Sequence, residues 1–414
     1  MMRVNCAAGR AIPQRQACPL PSSPSPPPVV SAWRLAALNL LVFAPVGVQL
    51  PFLSLWYASI GFGAEAIGFI QGATPIARFV ANLLIPPIAD RRGNAATLLA
   101  FCAAGGALGF VLAGLHTAFW FVFAGIVVAT FAQGPMIALG DSMTLREARR
   151  RVLAGERPLD YGAVRGFGSL GVLVLMACGG WLVGLFPPRS MIFVIAAVIA
   201  ATLAGILLLA PRNAAAPAAA AHGPRERIER PRLVALVVLG SSIIQASHAL
   251  VYSFGSIAFR AQGYGDVAIG LLWAAGVAAE ILFFVVASRR FGGASAAYLF
   301  LMIGGAAATA RWIAMAFVLP TPLLFLAQSM HAASFASTHL GAVYALTRLV
   351  GETRRAQAQG WISGISALTY AAVVIACGFL WNALGQQAYF VMAGVAAAGL
   401  ALATIAALDP RKDM

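Results

Sequence analysis

Charge is scarce in this chain. Asp, Glu, Lys and Arg make up 10% of its 414 residues, where a water-soluble domain carries about a quarter. An ordinary hydrated globular surface is excluded. Lysine is nearly absent: Lys412 stands alone, and arginine supplies almost all of the net charge of +15. The arginines sit in short segments between apolar runs, not along one helix face, so the excess does not point to nucleic acid. The five cysteines show no metal-site or disulfide spacing. Cys6 and Cys18 lie near the start, and Cys102, Cys178 and Cys377 read as small buried hydrophobes. Catalytic signatures are missing as well. There is no H-E-x-x-H, no G-x-S-x-G in an apolar run and no pair of aspartates on one helix face. The chain therefore reads as no enzyme, with no metal and no cofactor.

Apolar sequence is what remains, at 61% of residues. It falls into runs of about twenty residues, the length that carries a helix across a bilayer. Twelve spans fit, near 33–57, 64–89, 95–115, 117–143, 162–186, 189–210, 233–260, 266–288, 294–317, 320–347, 356–382 and 386–408. Loops 90–94, 144–161, 211–232, 289–293 and 348–355 are rich in arginine, and the loops between them nearly bare, with Arg189 and Arg260 the exceptions. This alternation follows the positive-inside rule and predicts cytoplasmic termini. Richness in arginine and alanine suggests a bacterial source, hence a multi-pass protein of the inner membrane. Residues 1–32, with P-L-P-S-S-P-S-P-P-P at 19–28 and no signal-peptide core, are expected to be a disordered cytoplasmic tail. Six-helix halves are expected at 33–210 and 233–408, joined by a linker at 211–232 and followed by a tail at 409–414.

The chain also repeats itself. Residues 61–68 read G-F-G-A-E-A-I-G and residues 263–270 read G-Y-G-D-V-A-I-G. Each opens an apolar run closed by an arginine pair, Arg91-Arg92 or Arg289-Arg290, and each carries one ionisable residue ten positions past its last glycine: Arg78 or Glu280. Parallel repeats of this kind build transporters with a site between the halves. At 1.5 Å per residue, Arg78 lies about 18 Å and Glu280 about 14 Å from the arginine-rich ends of their helices. Charges at that depth need a partner, a hydrated cavity or a proton. Glu280 is accordingly the candidate proton carrier, with Arg311 as its expected ion-pair partner.

Two helices carry polar stripes. Ser241, Gln245, His248, Tyr252 and Ser256 follow helical spacing in the seventh span, and His331, Ser334, Thr338 and His339 do so in the tenth. Five polar groups in line do not suit lipid. The stripes are expected to line a water-filled cavity, with interhelical hydrogen bonding as the plainer explanation. An aromatic acid would need a cation for its carboxylate and flat apolar walls. Arg78 and Arg165 could supply the first, and Phe52, Trp56, Tyr252 and Trp273 the second.

Several segments together resemble the lactose-permease-like branch of the major facilitator superfamily. They are P-F-L-S-L-W at 51–56, the Asp141 region, L-D-Y-G-A-V-R-G-F-G-S at 159–169, Q-A-S-H-A at 245–249, G-Y-G-D-V-A-I-G-L-L-W at 263–273, G-V-A-A-E at 276–280, R-W at 311–312 and Q-S-M-H at 328–331. The resemblance implies twelve helices, alternating access and proton symport. It implies substrate contact at Asp141 and Arg165, and coupling roles for Glu280, Arg311 and His331. The segment Asp90, Arg91, Arg92 and Gly93 resembles the superfamily's gating loop, with Pro86 in place of an expected glycine. Ser334 stands where lactose permease has a carboxylate, which shifts the expected proton site to Glu280, with His331 next. Substrate-binding candidates are thus Arg78, Asp141, Arg165, Gln245, His248, Tyr252 and Trp273. The expected function is proton-coupled uptake of a small aromatic carboxylic acid by a monomer in the lipid bilayer. A sugar or nucleoside symporter is the alternative, and a drug efflux carrier the next.

Overall fold

The computed structural model describes residues 30–211, 230–290, 296–350 and 355–409. The expected tail at 1–32 and the linker at 211–232 lie largely outside the described residues. Among the described residues fifteen α-helices follow one another: α1 (Ala32–Ser59), α2 (Ala64–Arg92), α3 (Ala95–Gly114), α4 (Phe119–Gln133), α5 (Met136–Leu153), α6 (Tyr161–Gly184), α7 (Met191–Leu209) and α8 (Pro231–Ala246). Then come α9 (Ala249–Ala261), α10 (Asp266–Arg290), α11 (Ala297–Met315), α12 (Thr321–Ser329), α13 (Ser337–Leu349), α14 (Arg355–Leu384) and α15 (Ala388–Leu408). Among the described residues there is no strand. The fifteen helices make twelve spans, because α4–α5, α8–α9 and α12–α13 are each one span interrupted near its middle.

The interruptions have local causes. Gly134 and Pro135 separate α4 from α5, where proline has no amide to donate to the preceding turn and glycine weakens the helix. Between α8 and α9 the Ser247 hydroxyl donates back to the Ile244 carbonyl at 2.6 Å, and the His248 amide bonds Gln245, three residues back. Such back-bonding competes with the regular ladder. Between α12 and α13, Ala332–Ala336 form a π-helical turn. Its loosened carbonyls are taken up by hydroxyls: Thr338 Oγ1 donates to Ser334 O at 2.7 Å and Ser337 Oγ to Ala333 O.

Helices outlast the apolar runs at the arginine-rich ends. Helix α5 continues to Leu153, inside the segment expected to be a loop from 144. Strong helix formers and the Glu147–Arg150 and Glu147–Arg151 pairs, three and four residues apart, support that extension. Glu147 also accepts the Val30 amide at 2.8 Å, which fastens the start of α1 to α5.

The repeat folds into the same turn twice, bond for bond. Gly61 and Gly263 take φ of 92° and 91°, the left-handed region glycine enters without steric cost. Phe62 N bonds Tyr57 O at 3.1 Å, and Tyr264 N bonds Phe259 O at 3.0 Å. Glycine then sets the contacts between the halves. Helix α2 packs on α14 and helix α6 on α10. At Gly68 an added Cβ would lie 3.0 Å from Gly378 Cα, and at Gly270 it would lie 2.4 Å from Met176 O. These two contacts are equivalent under exchange of the halves.

Candidate functional site

A cavity of about 520 Å³ opens between the halves. Helices α1, α2 and α4 wall it on one side; α8, α9, the π turn and α14 wall it on the other. Among the described residues lining it, Arg78 alone is charged. Its guanidinium is open to the cavity, and among the described residues no carboxylate pairs with it. Phe79, Tyr252, Phe335, Tyr370, Leu50 and Leu53 supply broad apolar walls. Amides and hydroxyls lie between them: Gln49, Gln71, Asn82, Gln245 and Ser366. Gln49 donates to Gln133 at 2.9 Å, and Ser366 bonds Ser242 at 2.8 Å, so part of this lining is already engaged.

Of the residues expected to touch substrate, Arg78, Gln245 and Tyr252 line the cavity. The others do not. Arg165 Nε lies 3.2 Å from Asp141 Oδ1, and its guanidinium stacks on Phe43 at 4.0 Å. The two ions thus neutralise each other between α5 and α6. His248 is fully buried, and Trp273 stacks on Tyr252 with ring centroids 5.7 Å apart, outside the cavity lining. Phe52 and Trp56 are likewise buried. The polar stripe of the seventh span is split. Ser241, His248 and Ser256 are buried, and only Gln245 and Tyr252 reach the cavity.

Behind Tyr252 lies a second constellation. Arg311, 1% exposed, is its hub. One terminal nitrogen, Nη1, contacts His331 Nδ1 at 3.4 Å and Ser334 Oγ at 3.5 Å; the other, Nη2, donates to Gln328 Oε1 at 3.0 Å. An arginine N–H only donates, so His331 Nδ1 is an acceptor and the imidazole proton sits on Nε2. That nitrogen faces Glu280 Oε2 at 3.3 Å. The expected Glu280–Arg311 pair is therefore replaced: His331 stands between them, carried there by the break after α12. On the other branch, His248 Nδ1 faces the Ile244 carbonyl at 3.2 Å and must donate to it. His248 Nε2 then accepts from Ser334 Oγ at 3.0 Å. Arg311 thus orders both histidines.

The gating segment closes α2. Gly93, at φ 65°, caps the helix with its amide on Ala89 O at 2.9 Å. Asp90 pairs with Arg146 of α5, while Arg91 and Arg92 are exposed. Pro86 and Pro87 lie within the helix just before it. Sequence reading missed Phe335, Tyr370 and the serines of α14, since nothing in an alanine-rich span marks which face meets a cavity.

Two pseudo-symmetric six-helix halves with a cavity between them define a membrane transporter of the major facilitator fold. The chain belongs to the MFS_1 like family, which matches residues 32–392. It is 31% identical over 379 residues to the "Probable 3-phenylpropionic acid transporter" of Escherichia coli (strain K12), spanning 89% of this chain and 96% of that protein. The "Maltose permease" of Geobacillus stearothermophilus is 27% identical over 282 residues, 67% of this chain and 68% of that one. Among solved structures, the nucleoside transporter NupG superposes with a TM-score of 0.74 at 20% identity, covering 91% of this chain and 99% of that chain. The protein is a multi-pass membrane transporter, not an enzyme.

Proposed function

We propose that the protein carries a small aromatic carboxylate of the phenylpropionate type, together with a proton, by alternating access. The observation that carries this reading is Arg78, a cation with no counter-ion among the described residues, set among aromatic walls in the central cavity. A guanidinium there matches a carboxylate in charge and in its planar fork. The name of the E. coli relative points the same way. Glu280 takes the coupled proton in this scheme. While ionised, it holds a charge-assisted bond from His331 Nε2. A proton on Glu280 weakens that bond and removes a negative charge from the constellation behind Tyr252. The carboxylate at Arg78 and the proton at Glu280 then cross together with no net charge added. His331 and Arg311 re-form the bond when the proton leaves. We place the protein in the bacterial inner membrane as a monomer. Both termini and the 211–232 linker between its halves are taken as cytoplasmic, following the arginine distribution.

A sugar or nucleoside symporter is the second reading, and the amides Gln49, Gln71, Asn82 and Gln245 along the cavity favour it. A second amide of α1, Asn39, donates instead to Thr144 Oγ1 at 3.1 Å. Counterflow in proteoliposomes separates the two. Labelled 3-phenylpropionate is expected to exchange, and a labelled disaccharide or nucleoside is not. Exchange of the sugar or nucleoside with none of any aromatic acid would overturn the proposal.

A further inference from the structure

A second space of about 520 Å³ lies far from the substrate cavity, on the outer face of the first half, between α3 and α7. The two antiparallel helices meet tightly at one end. A Cβ on Gly114 would come within 2.7 Å of Ile192 and Phe193. From there they splay, and near the arginine-rich end they leave a groove. On α3 its wall is Ala96, Ala100 and Ala104, three small residues at four-residue spacing, beside the exposed ring of Phe101. On α7 it is Leu203, Leu207 and Ala210. Apart from Thr97 the lining is apolar.

The mouth of this groove is cationic. Arg34 Nη2 donates to Leu208 O at 3.0 Å, which holds its guanidinium at the end of α7 with further N–H groups to spare. Arg92 is exposed and only four residues of chain from Ala96. Arg91 is exposed beside it, and among the described residues neither makes an ion pair. Apolar length inside and unpaired arginines at the headgroup level are complementary to one kind of molecule. We propose that the α3–α7 groove holds an anionic phospholipid, with an acyl chain against Ala96, Ala100, Ala104 and Leu207 and its phosphate facing Arg34 and Arg92. Basic pockets at helix ends recognise acidic headgroups in this way, at about fivefold in affinity per arginine. This site is independent of the substrate reading, because none of its residues lines the central cavity.

Native mass spectrometry of the purified full chain tests it, with phosphatidylglycerol, phosphatidylethanolamine and tail-less glycerol phosphate as probes. Phosphatidylglycerol is expected to stay bound where phosphatidylethanolamine does not, and glycerol phosphate alone is not expected to bind. Arg34→Gln and Arg92→Gln should each weaken phosphatidylglycerol about fivefold. Ala100→Phe, which fills the groove and leaves the arginines in place, should remove it while the melting temperature shows the fold intact. Should Ala100→Phe unfold the chain, the milder Ala104→Val carries the same test. Equal retention of both phospholipids, or undiminished phosphatidylglycerol in a folded groove-filled variant, would overturn the proposal. So would tight binding of glycerol phosphate, which would assign the arginines to a soluble phosphate.

Discussion

The two copies of the repeat, α2 and α10, share a scaffold and differ in chemistry. Both leave the same glycine turn, at Gly61 and Gly263, and both use a glycine, Gly68 or Gly270, to approach the other half. Ten residues further on they part. Arg78 is open to the cavity with no counter-ion among the described residues, whereas Glu280 is hydrogen-bonded to His331 at 3.3 Å. A side chain at Gly270 would collide with Met176 O, and one at Gly68 would press on the Gly378 backbone, so both close approaches depend on glycine. The ionisable position has no such constraint, so one copy can present a cation to substrate and the other a carboxylate to a proton.

The comparison can be broken at its functional ends first. Glu280→Gln, a fixed mimic of the protonated carboxyl, is expected to abolish accumulation driven by a pH gradient while counterflow persists. Accumulation that survives would move the proton to His331. Arg78→Gln should then weaken an anionic substrate by about 3 kcal/mol, over a hundredfold, since a charge in a partly desolvated pair is lost. Equilibrium binding in detergent reads this directly.

The scaffold should respond alike in both copies. Gly68→Val and Gly270→Val each place a Cβ at or inside 3.0 Å of backbone on the other half. Each is expected to cost about 1–3 kcal/mol, the usual penalty of overpacking. Thermal unfolding is the readout, and a large loss in one copy with none in the other would contradict the equivalence. Arg165→Lys should do least. It keeps the charge beside Asp141 and lies outside the cavity lining, so substrate affinity should move by less than about threefold, in the range of a single exposed ion pair. A tenfold loss would return Arg165 to the binding site.

Much of this architecture was legible without coordinates. A bilayer demands about twenty apolar residues per crossing, so the twelve spans stood out, and the repeat gave Arg78 and Glu280 as equivalent positions. The breaks did not stand out. Ser247–His248 and Ala332–Ala336 contain no proline, and stripe arithmetic assumes an unbroken 100° step per residue. The stripe spacing places His248 on the cavity face, whereas it is buried against Ser334. Pairing was hidden for another reason. Glu280, Arg311 and His331 lie on three spans, and the order in which they meet depends on how α12 ends. Asp141 and Arg165 likewise satisfy each other, which spacing along the chain cannot reveal.

The central claim is that Arg78 is the counter-charge of an anionic substrate, and a matched pair of ligands tests it most directly. Binding of 3-phenylpropionate and of its neutral amide would be measured on the native chain and on Arg78→Gln by calorimetry. The native protein should prefer the acid by about a hundredfold or more, and Arg78→Gln should erase that preference, leaving the amide nearly unaffected. A preference for the acid that persists undiminished in Arg78→Gln would contradict the account.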